Sequence, residues 1–181
     1  MTTRQLRRRG TLGLPAEPAL LGIYLNDHLA GATGGRELAK RIARAHRGTA
    51  AGPELERLVA EIAEDRRELL AVMRTLGVPV RRYKAVLGWL GERLGRLKPS
   101  GRLLSRSPLS SVIELETMRL GVEGKQSVWV LLRRLAEYDR RLDAARLDRL
   151  ADRAARQSRL LEELRVRAAD DIFGVARQPT G

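Results

Sequence analysis

The stretch Arg47-Gly48-Thr49-Ala50-Ala51-Gly52-Pro53-Glu54 decides how this chain is read. Two glycines bracket a short run of small residues, and a proline follows where a first helical turn tolerates it. Glu54 and Glu56 then favour the positive end of a helix dipole. This is a break between two helices, with Pro53 at the first helical position. Upstream, Leu21, Leu25, His28, Ala32, Gly35, Ala39 and Ile42 recur on one face, which predicts a helix from about Pro18 to Arg47. Downstream, Leu58, Ile62, Asp65, Leu69, Val72 and Leu76 predict a second helix that stops at Gly77. A loop this short makes the two antiparallel neighbours.

Further along, Ser107-Pro108 is a second start signal, with Ser107 as N-cap. It opens a helix reaching about Glu137, in which Gly121 and Gly124 invite a bend. Leu109, Val112, Ile113, Leu115, Met118, Leu120, Val122, Val128, Trp129 and Leu131 surround much of this helix, which predicts a central position. The last helix runs from near Asp143 to near Phe173, burying Leu147, Leu150, Ala154, Leu161, Leu164 and Ala168. Residues 77–107 form a long connection holding a shorter helix, about Val80 to Leu97, with Tyr83, Val86, Leu87 and Leu90 among its apolar residues. Alternating strand patterns are missing. The expectation is an all-α, ferritin-like bundle of four long helices, residues 15–173. A long crossover lets the second and fourth helices (the fourth counting the crossover helix) run parallel. Residues 1–14 read as a flexible basic arm and 174–181 as a flexible tail.

Composition narrows the chemistry. The 181 residues carry 35 Lys+Arg against 22 Asp+Glu, two His and no Cys. Thiolate metal sites, disulfides and Cys nucleophiles are excluded, as is a three-His zinc site within one chain. No apolar run approaches the ~20 residues of a membrane span. The basic start has no apolar signal core after it, so a cytoplasmic location is expected. The charge is concentrated. Arg4, Arg7, Arg8 and Arg9 sit in the arm. Arg81, Arg82, Lys84, Arg93, Arg96, Lys98, Arg102 and Arg106 stand against the single Glu92 in residues 78–108.

The pattern resembles the ferritin-like superfamily, in particular small uncharacterised or stress-induced bacterial ferritin-like proteins. The matching stretches are Leu25-Asn26-Asp27-His28-Leu29-Ala30, Glu61-Ile62-Ala63-Glu64-Asp65, Ser107-Pro108-Leu109-Ser110 and Glu114-Leu115-Glu116. The resemblance implies two metal ions in the bundle, held by a Glu from each of two helices and a Glu-x-x-His pair from each of the others. This chain contains no Glu-x-x-His. His28, Glu61, Asp65, Glu114, Glu116, Lys125, Arg153 and Gln157 remain as a polar constellation at the bundle centre.

The first reading of that constellation is a buried network in place of a degenerate di-metal centre. It pairs Asp65 with His28 or an arginine, and Glu116 with Arg153 or Lys125. It implies a non-catalytic protein with no cofactor, acting as a homo-oligomer or through a protein partner. The alternative is a divergent carboxylate-rich centre for iron or manganese, using His28, Asp65, Glu116 and Glu61. A second alternative is non-specific nucleic-acid binding through the 78–108 basic segment.

Two glycine-rich runs carry bland readings. Gly31-Ala32-Thr33-Gly34-Gly35 lies inside a helical pattern and suits close helix packing, not a phosphate loop. Gly121-Val122-Glu123-Gly124-Lys125 has the wrong glycine spacing for a Walker motif.

Overall fold

The computed structural model describes residues 18–81 and 108–174. It consists of four long helices: α1 Pro18–Ala45, α2 Gly52–Thr75, α3 Pro108–Leu135 and α4 Ala144–Phe173. At 1.5 Å per residue their 28, 24, 28 and 30 residues span about 36–45 Å. The expected crossover helix falls mostly outside the described residues. Its proposed first residues, Val80 and Arg81, are not helical. The arm, nearly all of the tail and Ser107 also lie outside.

Local chemistry sets the helix ends. Helix α2 begins at Gly52, one residue earlier than expected, so Pro53 occupies the second helical position. Gly52 suits that position, since a Cβ there would crowd the His46 carbonyl oxygen at 3.1 Å. At the other end Gly77 takes φ 71°. Its N–H donates to Arg74 O (3.0 Å) while Val78 N–H donates to Met73 O (2.8 Å). This paired closure satisfies carbonyls the helix leaves open. Asp143 caps α4, its side chain accepting from Arg146 N–H at 3.0 Å.

Cross-helix pairs give the directions. Arg41 meets Glu114 at 3.2 Å near one end of α1–α3, while a Cβ on Gly124 would lie 3.9 Å from His28 further along. These helices are therefore antiparallel. Arg119–Glu162 and Arg133–Asp148 make α3 and α4 antiparallel. Glu61–Gln157 and Glu68–Arg146 do the same for α2 and α4. With the α1–α2 hairpin, the order is up, down, down, up. Helices α2 and α3 are parallel and diagonal, and the end of α2 and the start of α3 lie at opposite ends of the bundle. This is the ferritin-like arrangement.

The core is a set of seams with three- and four-residue steps. Leu25, Leu29, Ala39 and Ile42 from α1 meet Leu55, Leu58, Ile62, Leu69 and Met73 from α2. Leu115, Met118, Val122, Trp129 and Leu132 from α3 meet Leu147, Leu150, Ala154, Leu161 and Leu164 from α4. Helix α3 runs unbroken through Gly121 and Gly124 but is not central. Leu109, Leu120, Val130 and Leu131 are exposed, because α3 packs against α1 and α4 on one side only. Gly35 and Gly124 stand at ordinary contact distance of Met118 and His28, but Gly31 and Gly121 are not packing points. A Cβ on Gly31 or Gly121 would meet nothing within 4 Å.

Charge divides as the sequence pattern suggested. The described residues hold 23 Lys+Arg against 20 Asp+Glu, so the helical bundle is close to neutral. No described helix is long and apolar enough to cross a membrane.

Candidate functional site: a buried polar network

The seams place polar residues among leucines. Asp65 follows Ile62 on α2, Lys125 follows Val122 on α3, and Gln157 follows Ala154 on α4. Each keeps the three-and-four step, so each side chain points inward. Asp65 is only 2% exposed. A buried carboxylate needs compensating charge or donors, and here it has both. Lys125 Nζ lies 2.5 Å from Asp65 Oδ2. Arg153 Nε donates to Asp65 Oδ1 at 2.8 Å, and its Nη2 reaches the same oxygen.

The network extends from there. Lys125 Nζ also donates to Gln157 Oε1. Gln157 Nε2 donates to Glu61 Oε2 at 2.8 Å. Arg153 Nη1 donates to Glu64 Oε2 at 3.0 Å. Five of the eight expected residues (Glu61, Asp65, Lys125, Arg153 and Gln157) are thus brought together, and Glu64 is added. Burial pulls the Lys125 ammonium below the usual lysine range, and Asp65 beside it offsets part of that. Burial works against the Arg153 charge too, but Asp65 and Glu64 outweigh it and raise its value.

Three expected members stand elsewhere. Glu114 forms its ion pair with Arg41, between α1 and α3. Glu116 is exposed on α3 and contributes only a nearby charge to Arg165. It pairs with neither Arg153 nor Lys125. The reason is rotation: stepping by four from Val112 overshoots a turn by 40° each time, which carries Glu116 and Leu120 to solvent. His28 is half-buried beside Gly124, its ring edge-on to Tyr24 with centroids 4.5 Å apart, and not against Asp65. Of the basic segment, Arg81 is exposed and the other seven residues lie outside the described residues.

Burial holds His28 below its ordinary 6.5. The unfolded chain therefore takes up a proton near that pH more readily than the folded one. Stability from this group is present above pH 6.5 and is lost as the pH falls below it. Urea midpoints at about pH 7 and about pH 5.5 are expected to fall less in His28→Phe than in the unmodified chain. Equal falls would remove His28 as a contributor.

One residue with a structural role was missed. Asn26 is 2% exposed and ties the chain leaving α2 to α1. Its Oδ1 accepts from Arg81 N–H at 2.7 Å, and its Nδ2 donates to Pro79 O (3.1 Å) and Gly22 O (2.8 Å). The signal was an amide beside the inward stripe of α1.

The network does not fit the di-metal centre that the resemblance implies. Asp65, the most buried carboxylate, spends both oxygens on cations. Lys125 and Arg153 bring positive charge to the place where a divalent ion would need negative oxygens. Among the described residues no group of three or more His, Asp or Glu could hold a metal. Compared with models of known families, with curated proteins and with solved structures, the chain finds no match. Fold and site together define the class: an all-α four-helix bundle of up, down, down, up order, with a charged network in its centre.

Proposed function

We propose that this is a ferritin-like bundle acting as a scaffold through assembly or a protein partner, not as an oxidase. In this reading the two-metal centre is degenerate, and Lys125 and Arg153 take the role of its cations. The observation that carries it is the Lys125 ammonium held between Asp65 and Gln157. Iron or manganese bound by Glu61 and Asp65 would have to displace Lys125 and Arg153, leaving two desolvated cations behind.

Titration of chelator-free protein with Fe(II) and with Mn(II), followed by calorimetry, tests the reading. The expected result is no saturable binding. One or two tight equivalents, lost in Asp65→Asn, would overturn it in favour of a carboxylate-rich metal site.

A further inference from the structure

Helix α3 packs against α1 and α4, and its exposed residues lie on the side away from the core. That side is not built like a solvent face. Leu109, Leu120, Gly121, Ser127, Val130 and Leu131 are exposed and uncharged. Only Glu116 and Arg134 bring charge to the exposed positions of this helix. On α4 the exposed positions are mostly charged, as at Arg146, Asp148, Arg149, Asp152, Arg156 and Arg159. An exposed apolar strip rimmed by so few charges marks a surface that another protein covers.

The two charges indicate which protein. At about 100° per residue, Glu116, Leu120, Ser127, Leu131 and Arg134 fall within about 60° of one another on the helix. Glu116 stands nine residues before Lys125, and Arg134 nine residues after it. The charges are opposite in sign and equally far, about 13–14 Å, from the level of Lys125. Leu120 and Leu131 stand five and six residues from the same level. Neither Glu116 nor Arg134 has an ion pair or a side-chain hydrogen bond among the described residues. Arg119 and Glu123, on the edge towards α4, already pair with each other at 3.2 Å.

A two-fold axis through that level lays a second α3 antiparallel on the first, with one patch meeting itself. It sets Glu116 of one copy against Arg134 of the other, twice, and Leu120 against Leu131. Ser127, the exposed residue nearest the axis, is small enough to let two helices approach closely. Parallel pairing would set Glu116 on Glu116 and Arg134 on Arg134, which like-charge repulsion opposes.

We propose that the outer face of α3 is a self-association surface, on which a second copy of this chain docks antiparallel across a two-fold axis at the level of Lys125. The inference rests on the assembly reading above and deepens it by naming the partner.

Sedimentation equilibrium of the full chain, over a micromolar concentration range at low salt, tests it. The expected result is a dimer. Glu116→Arg alone, or Arg134→Glu alone, is expected to raise the dissociation constant about tenfold or more, because like charges then face each other. The double variant Glu116→Arg/Arg134→Glu is expected to return it close to the original value. Leu120→Asp is expected to leave a monomer with unchanged helical circular dichroism, since this side chain is 57% exposed in the single chain. A chain that stays monomeric throughout, association indifferent to these substitutions, or a double variant as weak as the single ones would each overturn the proposal. A metal-free monomer would sink the docking surface alone. Tight metal binding would sink the scaffold reading whether or not the chain dimerises.

Discussion

Asp65→Ala is expected to destabilise the protein by about 3–5 kcal/mol, read as a lower urea midpoint with an unchanged slope. The substitution removes little volume but leaves Lys125 and Arg153 facing each other without the carboxylate that neutralises them. Glu61 and Glu64 remain, yet neither is as deeply placed. Glu64 is bound by the far nitrogen of Arg153, and Glu61 reaches the network only through Gln157. The triple replacement Asp65→Leu/Lys125→Met/Arg153→Leu should be close to neutral or more stable, because the cost of desolvating three charges disappears with them. A loss below about 1 kcal/mol in Asp65→Ala would mean that water already solvates the two cations, and that the network is not a closed unit.

The second large effect is expected at Trp129. Trp129→Ala should cost about 3–5 kcal/mol, measured by thermal or urea unfolding followed by helical circular dichroism. The indole is 1% exposed and belongs to the buried core together with Val122 and Leu132 on the inner side of α3. Its Nε1 has no hydrogen-bond partner among the described residues, so its contribution is bulk and not a polar contact. Trp129→Phe, which keeps an aromatic ring and removes that N–H, should therefore lose much less than the alanine variant. If both variants lose equally, an unseen partner of the indole N–H is responsible.

The fold was legible where punctuation and periodicity agreed. Pro53, Gly77 and Asp143 each mark an observed helix end within a residue or two, and the glycine bracket at 48–52 falls in the break between α1 and α2. The inward stripes of α1, α2 and α4 could be read because leucines there recur with mixed steps of three and four. Helix α3 was harder. Its apolar residues occupy more than one face, so Val112, Glu116 and Leu120 looked like a stripe as good as Leu115, Met118 and Val122. Only tertiary packing distinguishes the two, since α3 has neighbours on one side.

The site divided along the same line. Asp65 and Gln157 were recognisable because each interrupts an unambiguous apolar stripe. Their partners depend on how far long side chains reach across the bundle, and spacing along one helix does not contain that distance. Asn26 escaped because its role lies in holding a connection, not in the centre.

The up, down, down, up order has a consequence for anything attached to this protein. Helices α1 and α4 run in the same direction, so the start of the first and the end of the last lie at opposite poles, about 40 Å apart. Groups fused before Pro18 and after Phe173 therefore leave from opposite poles and cannot meet across a short linker. A circularly rearranged chain that joins Phe173 back to Pro18 would need a second connection as long as the bundle itself.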